Sequence, residues 1–348
     1  MSSTSCYAAQ SDSSLLAPFK IERRKIGTND VQIAIEFCGV CHSDIHVAKN
    51  EWGGSHYPVV PGHEIIGKVT ALGKNASHLK LGQRVGVGYM GGSCQVCKSC
   101  RSGLEQYCLE GFSAIFNAPS KDPGGFTYGG YSKSIVVDKN FVLIIPLGLD
   151  PAGTAPLLCA GITTYSPLKH WGVKPAMTVG IIGLGGLGHM GVKLSHAMGA
   201  KTIMITSSKA KVADAMKLGA DEVLLSTDSV AMKNMNNQFD FLLNTIPGPH
   251  DYNHYMNLLK VDGNMCIVGS IGPTAELNTE AMIYGRRGIA GSLVGGIKET
   301  QEMLYFCAKH HIVSDIEIIK MDQINTAYER ILKNDVKYRF VIDMSSLN

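Results

Sequence analysis

Two hydrophobic rhythms divide the chain. Up to about residue 150 the apolar residues fall in short β-rich runs, VQIAIEFCGV, GKVTALG, RVGVGYM and YSKSIVVDKNFVLIIP, broken by glycine and proline. No sustained helical period comes before Pro151. After it, strands and helices alternate. The unbroken apolar run MTVGIIG (177–183) predicts a central parallel strand buried on both faces. A helix over 187–198 follows, then a strand at 201–207, a helix at 209–219 and strands at 222–226 and 239–246. A helix at 250–260 and strands at 264–270 and 288–295 complete the series, which predicts a doubly wound α/β sheet. The tail returns to mixed elements: helix 298–311, strand 315–320, helix 323–334 and strand 338–344. It is expected to pack back on the first region. The predicted division is therefore 1–155, 156–295 and a return over 296–348.

The cysteines sharpen this picture. Cys94, Cys97, Cys100 and Cys108 stand in CQVCKSCRSGLEQYC, a C-x2-C-x2-C-x7-C spacing in a glycine-flanked loop. Four thiolates this close can surround one zinc ion, and an all-sulfur site leaves no position for substrate, so this metal would be structural. The alternatives are two disulfides or four free thiols. Cysteines two residues apart are poor disulfide partners, and the N-terminus MSSTSCYAAQSDSSLLAPFK lacks the basic start and apolar block of a signal peptide. Ten cysteines in such a chain point to a reducing compartment, expected to be the cytoplasm, and to metal binding. Cys6, Cys38, Cys266 and Cys307 show no ligand spacing and are expected to be buried thiols.

Gly183-Leu184-Gly185-Gly186-Leu187-Gly188 follows the strand 177–183 and opens a helix, the context in which G-x-G-x-x-G binds a dinucleotide. The glycines admit the pyrophosphate to the backbone, and the helix N-terminus offers it unpaired N–H groups. An acid at the end of the next strand would select NAD by binding the ribose. Instead the chain reads Thr206-Ser207-Ser208-Lys209-Ala210-Lys211. Hydroxyls and ammonium groups suit a 2′-phosphate. Charge-assisted hydrogen bonds contribute roughly 1.5–3 kcal/mol each, so two would favour NADP by about a hundredfold or more. The plainer reading leaves both lysines solvated on the helix surface.

A second set of potential ligands is dispersed: Cys41 in GVCHSDIH, His63 and Glu64 in PVVPGHEIIGKVTALG, and Cys159 in APLLCAGITTYSP. Two thiolates and an imidazole would make a three-ligand zinc with an open fourth position. Each residue alone reads more simply as a buried cysteine or a hydrogen-bonded histidine.

Taken together, GHE-x-x-G-x5-G (62–73), the four-cysteine lobe, Cys159 and the glycine fingerprint occur in the order and spacing that resemble zinc-dependent medium-chain alcohol dehydrogenases. Within that superfamily the chain is similar to the cinnamyl alcohol dehydrogenase group, with its bacterial aldehyde reductases. GVCHSDIH, LLCAGITTYSPLKHW, GLGGLGHMGVKLSHAMGA, GGIKETQEM and KYRFVIDM carry this closer likeness, which extends over nearly all the chain after about residue 15. The resemblance implies an α/β architecture with a β-rich GroES-like catalytic domain, which bears the structural-zinc lobe, plus a Rossmann dinucleotide-binding domain. It implies two zinc ions per subunit, NADP(H) as cofactor, and an aldehyde or primary alcohol as substrate. Cys41, His63 and Cys159 would hold the catalytic zinc, which Glu64 could approach when the open position is vacated. Asp44 would orient His63. Ser43 and His46 would relay a proton to the reduced carbonyl through a cofactor ribose hydroxyl. His42 and Arg339 would meet the pyrophosphate, and Thr163 the nicotinamide. A simpler role for Ser43, capping a helix that begins near Asp44, is compatible with the relay.

Trp52, Tyr89 and Met90 lie beside motif residues whose family counterparts border the substrate pocket, though each is equally explained as ordinary packing. Such a lining suits aromatic or medium aliphatic aldehydes. Tyr89 departs from the small residue usual there; a phenol would narrow the pocket or offer a hydrogen bond, which counts against bulky cinnamyl substrates. GIAGSLVG resembles the family's dimer strand, so a homodimer is expected.

Composition removes other classes. A formal charge of +3, dispersed along 348 residues, does not make a nucleic-acid surface, and no apolar run is long enough to cross a bilayer. Two rivals stand beside the reductase reading. An NAD-dependent polyol dehydrogenase would carry an acid near Ser207. A non-catalytic zinc-binding module would leave Cys41, His63, Cys159 and the fingerprint unexplained.

Overall fold

The computed structural model describes residues 2–269, 272–273 and 276–347. The chain forms two compact units: residues up to Cys159 together with those from Gly295 onward, and Ala160–Val294.

The first unit is built on a sheet ordered Ile316–Lys320, Arg339–Asp343, Asp30–Val40, Ile65–Leu72, Arg84–Val87, Leu143–Ile144, with Ser134–Asp138 also pairing Asp30–Val40. Asp30–Val40 shows how the sequence makes the element and what the element delivers. Val31, Ile33 and Ile35 are buried and alternate with half-exposed neighbours, the period of a strand with one wetted face. From Cys38 to Val40 every residue is buried, and the strand runs directly into Cys41. The tail enters this sheet through Arg339–Asp343, which lies antiparallel to Asp30–Val40 with Phe340 opposite Val40. Ile33, Ile65, Ile135, Phe141 and Phe340 lie in one core. Ser2–Ala8 and Ala17–Arg23 form a separate antiparallel pair.

The second unit is a six-stranded, wholly parallel sheet in the order Glu222–Leu225, Lys201–Thr206, Thr178–Ile182, Phe239–Asn244, Leu259–Ile267, Gly288–Gly291. In sequence terms this is 3-2-1-4-5-6, the doubly wound dinucleotide-binding order. Thr178–Ile182 is central, as its apolar run requires.

Several elements differ from expectation. The helix anticipated over 250–260 is only Asn253–Met256. Pro247 and Pro249 delay its start, and Leu259 is already paired with Phe239 in the next strand. That strand, expected over 264–270, runs Leu259–Ile267, and Ser270 lies outside the described residues. The strand at 288–295 stops at Gly291, opposite the last paired residue of its neighbour, Ile267. The helix at 209–219 opens with a 3-10 turn, Lys209–Lys211, and becomes α-helical over Val212–Lys217. The helix expected to begin near Asp44 starts two residues earlier, at His42, with Cys41 as its N-cap. Ser43 therefore lies inside the first turn and caps nothing.

Candidate metal centres and dinucleotide site

Cys41, His63, Glu64 and Cys159 are all buried, and one potential ligand atom from each lies within 4.8 Å of the others. Four elements deliver them. Cys41 ends the long strand and caps the helix His42–Ala48. His63 and Glu64 immediately precede the strand Ile65–Leu72, and Cys159 follows the 3-10 turn Ala155–Leu158. Cys41 Sγ and Cys159 Sγ are 3.8 Å apart. Two sulfurs bound at about 2.3 Å to one tetrahedral ion stand at about that separation.

Asp44 organises the centre. Its Oδ1 accepts the Gly62 amide at 2.9 Å and lies 3.0 Å from His63 Nδ1. Its Oδ2 accepts the Cys41 amide at 2.9 Å and the Tyr131 hydroxyl at 3.3 Å. With Nδ1–H donated to Asp44, the His63 lone pair is at Nε2, and Nε2 is buried without a hydrogen-bond partner. A bare imidazole nitrogen beside two thiols is the donor set a zinc ion takes.

The local field points the same way. The Cys159 thiol beside it, then Arg339 and His63, hold Cys41 well below the usual thiol range, against the penalty of burial. Donating that hydrogen bond, together with burial, keeps Cys159 well above it. Burial opposes a charged His63, but the Asp44 carboxylate and the Cys41 sulfur outweigh it and push its pKa up to about 10. The site favours positive charge where Nε2 points, whether a proton or a metal ion carries it.

Glu64 pairs with Arg339 through Oε1, while Oε2 has no partner. A Cβ at Gly39 would sit 1.8 Å from Oε2, so only glycine leaves room for this carboxylate. Arg339, expected at the pyrophosphate, is thus engaged with Glu64. Ser43 Oγ lies 3.7 Å from Cys41 Sγ. His46 Nδ1 lies 2.5 Å from Glu51 Oε2, and its ring stacks on Trp52 at 4.8 Å. Burial first, then Arg339, holds the neighbouring His42 below the usual histidine range against the pull of Cys41, so its ring is neutral near pH 7.

Among the proposed pocket residues, Tyr89 meets the His63 ring edge-on at 5.3 Å and packs near Phe112 and Phe116. Burial first, then the charges of Cys159, Asp44 and Cys41, push its phenol up to about 12, so it is a hydrogen-bond donor throughout the neutral range. Met90 is fully buried in the core of the first unit. Trp52 lies against the His46 ring and is otherwise largely exposed, at 42%.

Glu51 escaped the sequence reading because an isolated acid next to tryptophan carries no motif. Its signal was distance from His46, five residues on, just past the helix end. On the expected relay role of His46, Glu51→Gln should lower kcat by about 5- to 20-fold with little change in KM, a part of the ~100-fold or more that positioned proton transfer contributes. Steady-state kinetics at saturating cofactor would check it; an unchanged kcat would remove Glu51 from the relay.

The second cysteine set also converges. The four sulfurs of Cys94, Cys97, Cys100 and Cys108 lie within 4.8 Å of one another, and Cys94 and Cys100 are 3.9 Å apart. That is nearly twice the ~2.05 Å of a disulfide, and all ten cysteines are free. Backbone amides of Cys94, Cys97, Cys100 and Leu109 point at the sulfurs over 3.3–3.5 Å, solvating thiolates in place of water. Those of Cys100 and Leu109 help push Cys97 down to about 6. Cys6, Cys38, Cys266 and Cys307 are buried, as expected.

In the second unit, Gly183 has φ +90, and the helix Gly188–Ala197 starts as the fingerprint ends. A Cβ on Gly188 would lie 1.9 Å from the Gly183 carbonyl oxygen, so this turn closes only around glycine; nothing lies within 4 Å of one on Gly185, which leaves its backbone open to a phosphate. Thr163 is buried in the helix Ala160–His170. At the end of Lys201–Thr206, Ser207 and Lys209 are exposed and Ser208 half-buried. Lys211 is not merely solvated: its Nζ donates to the Leu184 carbonyl inside the fingerprint at 2.7 Å. That leaves Ser207, Ser208 and Lys209 as the outward-facing donors.

Comparison with known proteins agrees with this geometry. Residues 27–147 match the alcohol dehydrogenase GroES-like domain and residues 186–309 the zinc-binding dehydrogenase domain. The chain is 51% identical over 334 residues to aldehyde reductase YahK of Escherichia coli (strain K12), covering 95% of each. It is 49% identical to NADP-dependent alcohol dehydrogenase C 1 of Mycolicibacterium smegmatis, covering 100% of this chain and 99% of the other. Among solved structures, a cinnamyl alcohol dehydrogenase of Sorghum bicolor superposes with a TM-score of 0.95 at 42% identity, covering 100% and 99% of the two chains.

Proposed function

The chain belongs to the zinc-dependent medium-chain dehydrogenase family, and on that premise we propose that it interconverts aldehydes and primary alcohols with NADP(H). The observation that carries this reading is the unpartnered His63 Nε2 facing the Cys41 and Cys159 sulfurs. Zinc held by these three residues supplies Lewis acidity to a carbonyl oxygen, and NADPH supplies the hydride. The chain's own residues do the rest. Asp44 fixes the His63 tautomer and ring plane. Ser43, beside Cys41, is the group that gives the product oxygen its proton, and His46, oriented by Glu51 and Trp52, returns that proton from solvent. Glu64, tied to Arg339, keeps one carboxylate oxygen beside the metal ligands. The unit that runs to Cys159 and resumes at Gly295 is then the catalytic domain, and Ala160–Val294 the cofactor domain; the first boundary falls four residues later than expected, which keeps Cys159 with the other ligands. Cys94, Cys97, Cys100 and Cys108 hold the second, structural zinc.

Ser207, Ser208 and Lys209, with no acid at the strand end, support NADP over NAD. Ser207→Asp is expected to reverse part of that preference, lowering the NADPH/NADH ratio of kcat/KM by about a hundredfold through loss of one donor and repulsion of the phosphate. An unchanged ratio would count against the phosphate assignment and for the polyol dehydrogenase alternative. The wider test is a panel of aromatic and aliphatic aldehydes and alcohols assayed with both cofactors. The phenol of Tyr89 against His63 supports compact or medium-length substrates over bulky cinnamyl ones.

Among the described residues Gly288–Gly291 is the edge strand of its sheet, which supports a homodimer formed along it; a monomer in light scattering would reject that. Among the described residues no helix is long and apolar enough to cross a membrane. Ten unpaired cysteines support a reducing, cytoplasmic setting.

A further inference from the structure

Asp44 is wholly buried and accepts four hydrogen bonds, as many as a carboxylate has lone-pair positions. Two of them hold metal ligands: the Cys41 amide on Oδ2 and the His63 ring on Oδ1. A third, from Gly62, is a backbone group fixed by the chain at φ +104. The fourth is the only one from a side chain that is not itself a ligand. It comes from Tyr131, which is 0% exposed and anchored by its backbone to Pro61 and Tyr7.

From this we infer that Tyr131 is a positioning residue for the catalytic metal: its hydroxyl pins Asp44 Oδ2 so that Oδ1 meets His63 at the angle that aims Nε2 at the ion. The inference rests on the reading of Cys41, His63 and Cys159 as the catalytic zinc site. Without the hydroxyl, Oδ2 keeps only the Cys41 amide, so the carboxylate and the imidazole plane it sets are held less firmly. Burial and the Asp44 charge hold the Tyr131 phenol well above its usual range, so it stays a donor at every working pH. The neighbouring Tyr328, in the helix Ile324–Leu332, supplies a control. Its hydroxyl lies beside Tyr131 and is buried, yet it makes no bond of hydrogen-bonding geometry.

The test uses the zinc-loaded protein and two ring-preserving variants, Tyr131→Phe and Tyr328→Phe. Zinc release to a chelator is followed in time, and the cobalt-substituted catalytic site is followed by its visible absorption. Groups bonded directly to a ligand change metal affinity by about 10- to 100-fold. One bond further out, Tyr131→Phe is expected to speed loss of one of the two zincs by about 3- to 10-fold and to shift the cobalt bands. The second zinc phase and the thermal midpoint should match the unsubstituted protein, as should Tyr328→Phe in every respect. Three results would overturn the inference: Tyr131→Phe indistinguishable from the parent, both zinc phases accelerated together, or the two variants behaving alike. A parent protein that binds one zinc would sink the catalytic-metal reading itself, and so is told apart from failure of the Tyr131 role.

Discussion

Cys41→Ala is expected to abolish turnover while the protein stays folded with a single zinc. The Cys159 thiol, Arg339 and His63 hold Cys41 well below the usual thiol range, so its sulfur is readily available to a cation. Cys41 also sits at the hinge between the long strand and the helix of Asp44, so its backbone amide is part of the same hydrogen-bonded frame. Alanine keeps that amide and removes only the sulfur. Metal Lewis acidity is worth several kcal/mol to the transition state, and each ~1.4 kcal/mol is a factor of ten. A fall in kcat of about 10⁴-fold or more follows, and metal analysis should fall from two zincs to one. Retention of both zincs, or hydride transfer at near-parent rate, would show that the reactive metal is held elsewhere.

The elements that were legible in advance share a property: their signal is local. The four-cysteine lobe, the glycine fingerprint and the apolar central strand each announce themselves within twenty residues. Cys41, His63 and Cys159 were found only because their flanking segments resemble a family; nothing in the isolated residues says that 118 positions of chain bring two sulfurs to 3.8 Å. Illegible features depend on long-range closure. The hairpin Ser2–Ala8 with Ala17–Arg23 was missed because its inward positions include Thr4, Cys6 and Ala8, too small or too polar to mark a strand. Lys211 on the Leu184 carbonyl, Arg339 on Glu64 and Tyr131 on Asp44 span 27, 275 and 87 residues. A partner that far away leaves no spacing to read. The short helix at Asn253–Met256 failed for a different reason: an apolar run cannot tell helix from strand until register assigns Leu259 to Phe239.

Removing a sulfur from the other centre should have the opposite signature. Cys100→Ala is expected to lower the thermal midpoint and solubility while the folded fraction keeps its catalytic zinc and hydride transfer. The lobe has little else to hold it. Val96, Leu104, Tyr107 and Leu109 are exposed, so few apolar contacts close the loop, and the helix Lys98–Arg101 is a single turn. Amides of four residues are spent on sulfur, bonds that are strong only while the sulfurs are charged and metal-bound. Loss of the ion also reaches the tail. Glu105 Oε2 caps the helix Ile297–His310 through the Ile297 amide at 3.0 Å, and a Cβ on Gly296 would lie 1.8 Å from the Gly103 carbonyl oxygen. Collapse of the lobe therefore unclamps the start of that helix. A structural zinc contributes up to ~10 kcal/mol or more where a whole domain depends on it; a lobe that can unfold locally forfeits only part of that. A net loss of about 3–4 kcal/mol would move the midpoint by about 5 °C in a chain of this size. Calorimetry with zinc analysis decides the matter: an unchanged midpoint with two zincs retained, or intact folding with hydride transfer lost, would reverse the roles assigned to the two metals.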